Sequence, residues 1–351
     1  MRNSLIGSKA FYRQVLVIAL PIILQNLITN FVSMLDNVMV GQLSTAQIGA
    51  VTIVNNNLLF ILTVSLYGGA AGAGIFTTQF YGSQDQEGIR YTVRFKMLIC
   101  VGLMLLGCGA CLLWSEELIG LYLQGEGDPA LRAQTLAYGK QYLQIMLVGM
   151  IPFAVTNAYA GTLRECGHPT VPMVAGMVAM GINLVGNYIL IFGHFGAPTM
   201  GVAGAAVATV ASRYAEMAIV VVWTHGNPEK NPYVKGLYRS LRIPATLLKS
   251  IVIKGMPLLL NEAAYTVGMA FLNQCYSRCG LDVVPALSIS TTFYNLTAAV
   301  FRSLGNAVGI IIGRMMGSGA DAKKVYGENK NCLHWLWLPA CCAAPLRFLC
   351  L

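Results

Sequence analysis

The sequence predicts an all-α integral membrane protein, a polytopic helical bundle of two repeat-related lobes. The second lobe is incomplete, and about eight full spans are followed by an atypical apolar tail. Three observations predict it. Charged residues make up 11% of the 351 and hydrophobic residues 56%, where a soluble domain carries roughly 25% charged residues, so lipid must solvate much of the surface. Apolar stretches long enough to cross a bilayer, about 20 residues each, recur along the chain. Basic residues gather in every second loop.

The apolar stretches are 15–40, 49–79, 93–114, 134–162, 170–193, 198–224, 251–276 and 283–313. Pro21, Pro152, Pro172, Pro257 and Pro285 fall in or near them, where kinks are expected. The first stretch is too long for a cleavable signal, so it is read as a span. Residues 1–225 are expected to form a six-helix lobe, 226–250 a cytoplasmic linker, 251–327 a partial second lobe and 328–351 the tail.

The net charge of +9 does not signal nucleic acid, because of where the charge sits. Seventeen of the 23 Lys and Arg fall on one side: Arg2, Lys9 and Arg13 before the first stretch, Arg90, Arg94 and Lys96 between the second and third, and Arg164 after the fourth. Lys230, Lys235, Arg239, Arg242, Lys249 and Lys254 lie between the sixth and seventh, and Arg314, Lys323, Lys324 and Lys330 after the eighth. The opposite loops carry Arg132, Lys140 and Arg278. Positive charge stays inside, which places the N-terminus in the cytoplasm and the protein in the plasma (inner) membrane.

Shifted by 236 residues, the chain overlays itself. Pro21-Ile22-Ile23-Leu24-Gln25-Asn26 falls on Pro257-Leu258-Leu259-Leu260-Asn261-Glu262, Ala50 on Ala286 and Gly69 on Gly305. One residue of slippage later, Tyr81-Gly82-Ser83 meets Met316-Gly317-Ser318. Both copies start on the cytoplasmic side, so the repeat is parallel, about an axis along the membrane normal. Two such bundles enclose a cleft, and rocking one against the other would give alternating access.

Polar residues at membrane depth are costly and mark pathways. Asn26, Thr29, Ser33 and Asp36 share one face of the first span and should face a wet or protein-lined interior. Asp36 lies among apolar neighbours. Apolar surroundings favour a carboxylate's protonated form, which suits a proton carrier, and a carboxylate with neighbouring oxygens also suits Na⁺. Asn183 and Asn187 share a face of the fifth span, and Thr209 lies in the sixth with Arg213 and Glu216, which are expected to pair. Glu262 stands near the start of the seventh and is a candidate second carboxylate for an ion or substrate. Ser288, Thr291 or Thr292, and Asn295 line the eighth, with Arg302 beyond.

Enzymatic chemistry has little support. The four His are scattered, no Gly-rich loop carries a P-loop Lys, and the ten Cys show no zinc spacing. No cofactor is expected; an ion gradient, Na⁺ or H⁺, would supply the energy.

Four stretches resemble the multidrug and toxin extrusion (MATE) transporters, within the superfamily that also holds polysaccharide and lipid-precursor flippases. They are Ala19-Leu20-Pro21 running into Met34 to Gly41; Gly68 to Gly74 with Gln79-Phe80-Tyr81-Gly82; Thr162 to Met173; and Asn183 to Gly193 with Gly201 to Thr209. The resemblance covers roughly 10–326. It implies a cation-coupled antiporter exporting amphipathic, often cationic, small molecules, monomeric in the lipid bilayer. It also implies a cation site on Asp36, Asn183, Asn187 and Thr209; many relatives carry Asp at the position of Asn187. A flippase for a lipid-linked substrate is the alternative. The family has twelve spans. From about Glu328 the likeness stops, and the Cys- and Trp-rich end looks truncated or frameshifted; such a chain alone is expected to be unstable or inactive.

Overall fold

The computed structural model of the chain describes residues 9–123, 129–277, 283–321, 325, 327 and 328. Among these residues the regular structure is entirely helical, as the composition requires. In order, the helices are α1 Lys9–Val40, α2 Thr45–Ile53, α3 Phe60–Gly82, α4 Gln86–Leu113, α5 Ser115–Gly120, α6 Pro129–Val148, α7 Met150–Glu165, α8 Thr170–Phe192, α9 Val202–Gly226, α10 Ala245–Ser277 and α11 Val283–Gly317. A π-helical segment, Val54–Leu59, joins α2 to α3. Among the described residues, five helical segments are long and apolar enough to cross a membrane. The bent pair α6–α7 makes a sixth if it is one span.

Local chemistry sets the ends. Ser44 accepts from the Gln47 amide to start α2, and Asp85 Oδ1 accepts from the Glu87 and Gly88 amides, both at 3.0 Å, to start α4. Gly193 closes α8 in the left-handed region, with φ 73°. The sixth apolar stretch becomes helical only at Val202, because Gly201 (φ 53°, ψ −123°) holds a conformation that side chains resist. The chain bends by 42° between α6 and α7 at Gly149, just before Pro152. Pro152 and Pro172 sit in first turns, where a proline costs no hydrogen bond, while Pro21 and Pro257 lie inside continuous helices.

The main core joins α3, α4, α6, α7 and α9 through Leu66, Cys100, Met104, Leu143, Met150, Ala154 and Ala206. Small residues bring α8 and α9 together: the Cβ position of Gly204 falls against the backbone of Leu190, and that of Gly186 against Ala208. A second cluster crosses to the other lobe. Phe11, Val15, Ile18, Ala19 and Ile22 of α1 pack on Leu304, Ala307, Val308 and Ile311 of α11. On the same seam the backbones of α3 and α10 touch at Gly72 and Gly255.

Two sequence expectations change here. Arg94 and Lys96 do not lie in a loop; α4 begins at Gln86, and both side chains are buried. Within residues 226–250, Tyr233 and Leu237 are buried against Ile89, Val93 and Cys166, and α10 begins at Ala245. Arg213 and Glu216 form no ion pair among the described residues. Arg213 instead stacks over the Phe153 ring, 4.9 Å from its centroid, and donates to Met150 Sδ. The side chains of Ser288, Thr291, Thr292 and Asn295, and the tail 329–351, lie outside the described residues.

Candidate functional site

Asp36, Asn183, Asn187 and Thr209 meet. They come from α1, α8 and α9, and the small residues between α8 and α9 let the latter two approach closely. Asn183 and Asn187 are buried on one face of α8, and Asp36 is half-buried. Asn187 Nδ2 donates to Asp36 Oδ1 at 2.8 Å. The Asn183 amide is best satisfied with its NH₂ turned to the carboxylate, 3.1 Å from Oδ1 and 3.0 Å from Oδ2, while its oxygen accepts from Thr209 Oγ1 at 3.0 Å. Two amides thus grip one carboxylate, and a hydroxyl braces the second amide from behind. Asn187 Oδ1 is buried without a hydrogen-bond partner.

The donor set is therefore a carboxylate, two amides that each carry an oxygen on the far side, and a hydroxyl. A hard cation prefers oxygen ligands, and half a turn of the Asn187 amide would bring its unpartnered oxygen to the carboxylate. The same carboxylate can take a proton.

The remaining predicted residues lie elsewhere. Asn26 Nδ2 donates to Ser303 Oγ of α11 at 2.9 Å, so it ties α1 to the second lobe. Thr29 is exposed and donates to its own helix at Gln25 O, and Ser33 is exposed as well. The polar stripe on α1 is thus partnered at its ends and open between. Glu262 is exposed on α10, and none of the bonds that join the Asp36 cluster reaches it. The Arg302 guanidinium lies 5.2 Å from the centre of the Tyr265 ring.

A second polar network has no local signature in the sequence. Arg164 Nη2 donates to Gln25 Oε1 on α1 at 3.1 Å, and Arg164 Nε is buried without a partner. Lys96 pairs with Glu165 and donates to Thr162 Oγ1. Asn55, in the π-helical segment, and the Tyr142 hydroxyl of α6 exchange contacts at 3.0 and 3.2 Å. Each partner lies dozens of residues away, so only folding reveals it.

Comparison with known proteins bears on the family and the fold. The MatE family profile matches residues 21–189. The probable multidrug resistance protein NorM of Thermotoga maritima is 24% identical over 311 residues, spanning 88% of this chain and 64% of that protein. NorM of Pasteurella multocida is 25% identical over 313 residues, spanning 89% and 65%. The chain thus spans a little under two thirds of the length of these relatives. The crystal structure of MATE in the bent conformation superposes with a TM-score of 0.78 at 18% identity, covering 93% of this chain and 71% of that one.

Proposed function

We propose that the chain, whose residues 21–189 match the MatE family profile, is a multi-pass membrane transporter of that family working as a cation-coupled antiporter. Na⁺ or H⁺ entering would drive export of amphipathic or cationic small organic molecules across the plasma membrane, with the N-terminus in the cytoplasm. The relatives' names, multidrug resistance proteins, support that substrate class.

The observation that carries the coupling is the Asp36 cluster together with its place on α1. The first half of α1 packs on α11 of the second lobe, and the second half is bonded to α8 of the first. A cation at Asp36 changes what Asn187 and Asn183 offer the carboxylate, and so changes how α1 is held at one end. Substrate in the cleft would favour the other arrangement of the lobes; each ligand shifts the equilibrium by its differential affinity.

Uptake of ethidium into proteoliposomes containing the chain, with and without imposed Na⁺ and pH gradients, tests the proposal. One gradient should drive accumulation, and Asp36→Asn should reduce it to the level of protein-free vesicles. Accumulation without any gradient, or full coupling in Asp36→Asn, overturns it.

A second reading, translocation of an anionic lipid-linked substrate, is favoured by one feature: the buried Arg164 guanidinium keeps an unpartnered N–H. In the same vesicles it predicts movement of a fluorescent anionic lipid and no ethidium uptake.

A further inference from the structure

At the basic end of the lobe seam lies a cavity of about 700 Å³, lined by residues that include Arg13 and Val17 of α1, Tyr81 of α3, Gly167 of the α7–α8 turn and Arg314 of α11. No Asp or Glu is among its lining residues. Arg13 is exposed and forms no ion pair among the described residues. Arg314 Nε and Nη2 donate to the carbonyls of Glu165 and Arg164 at the end of α7, at 2.7 to 3.3 Å, and its plane rests on the Tyr81 ring. Those bonds leave Nη1 available. Glu165, whose backbone carbonyl Arg314 contacts, has its carboxylate paired with Lys96. Gly167 holds φ 91°, a left-handed conformation that favours glycine, and the position of a Cβ there lies beside both terminal nitrogens of Arg314 and the Tyr81 hydroxyl.

Two guanidinium groups, from α1 and α11, that share one cavity with no carboxylate in its lining suit a phosphate anion. A second observation selects the source of that phosphate. Val17, Leu20 and Leu24 are exposed and share one face of α1, so an apolar strip leads away from the cavity along the helix. A soluble anion gains nothing from such a strip, whereas an acyl chain does. Basic pockets between membrane helices on the inner side attract anionic headgroups.

We propose that this cavity binds the phosphate headgroup of an anionic membrane lipid between Arg13 and Arg314, with an acyl chain along Val17, Leu20 and Leu24. A bound lipid would bridge α1 to α11 and hold this end of the seam shut. The site is separate from the Asp36 cluster, about 35 Å along α1 at about 1.5 Å per residue, and does not depend on transport.

The test measures the thermal unfolding midpoint of the purified chain in a non-ionic detergent, titrated with dioctanoyl phosphatidylglycerol, dioctanoyl phosphatidylcholine or sodium phosphate. Phosphatidylglycerol should raise the midpoint saturably, and the other two should not. Arg13→Gln, at an exposed position, should weaken the phosphatidylglycerol response about fivefold, while Arg239→Gln, an exposed charge on the linker, should leave it unchanged. An equal response to phosphatidylcholine, saturation by sodium phosphate alone, or an undiminished response in Arg13→Gln overturns the assignment.

Discussion

Lys96 is 1% exposed and is held by one carboxylate, that of Glu165, and one hydroxyl, that of Thr162. Two opposite charges taken out of water survive only as a pair, because desolvation of either alone exceeds what neutral neighbours return. Lys96→Met should therefore destabilise the protein by about 3–5 kcal/mol, read as a lower thermal midpoint, and Lys96→Met with Glu165→Gln should recover most of it. If the double variant is no better than the single, the pair is not the source of the loss. At the Asp36 cluster the logic differs. Asp36 is gripped by amides rather than by a cation of the protein. That Asp36, Asn183, Asn187 and Thr209 belong together was implied by the family resemblance; the bond from Asn26 to Ser303 was not, since nothing local to either residue announces the other.

Between single residues and the whole molecule stand the linker and the α7–α8 turn. Arg94 donates to the carbonyls of Gly236, Leu237 and Arg242, at 3.0, 2.7 and 3.3 Å, and Arg90 to that of Tyr233 at 3.2 Å. Residues counted as inside charges are thus also clasps that hold the linker on the first lobe. Losing even one such bond costs about 1.5 kcal/mol, which populates the released linker at least about tenfold more, and replacing Arg94 removes three. Arg94→Ala should accordingly speed tryptic cleavage at Lys235 and Arg239; an unchanged rate would mean that the apolar contacts of Tyr233 and Leu237 suffice. In the turn, His168 packs beside Trp223, and burial holds its imidazole below the ordinary 6.5; a hydrogen bond with the Lys230 backbone opposes this, and the charges of Lys230 and Arg314 add to it. A base depressed in this way stays neutral in the fold and takes up a proton more readily once unfolded. Its contribution is complete above pH 6.5 and is lost as the pH falls below that value toward the folded-state one. The thermal midpoint should drop on acidification from pH 6.5, and His168→Gln should drop less over the same window.

At the scale of the molecule, the internal repeat becomes an interface. With the 235-residue offset that aligns Gly82 with Gly317, Gln79 aligns with Arg314. A Cβ on Gly82 would overlap the Arg314 carbonyl, and one on Gly317 would overlap the Gln79 carbonyl. These are the same contact made twice, the self-complementary pattern of a two-fold axis. It lies between α3 and α11 on the seam that α1–α11 and α3–α10 also form. Adding a methyl to either glycine forces the helices apart at a cost of about 1–3 kcal/mol. Gly82→Ala and Gly317→Ala should lower the thermal midpoint by similar amounts, and the double variant by less than their sum, because one seam is opened in each case. Strict additivity would show the two contacts to be independent.

The all-α membrane fold was determined by the sequence itself, because composition and periodicity act along the chain and need no folded partner; that Asp36, Asn183, Asn187 and Thr209 belong together was implied by the family resemblance, and the fold brings them into contact. Which charges are buried was decided by tertiary structure. Arg94, Lys96 and Arg164 read as loop cations until α4 and α7 extend past the apolar stretches and bring carbonyls, a carboxylate and the Gln25 amide to them. The failure of Arg213 to pair with Glu216 was decided there too, since the bend at Gly149 brings Met150 and Phe153 of the next helix to the guanidinium. Burial is a property of packing between distant segments, and one-dimensional order does not contain it.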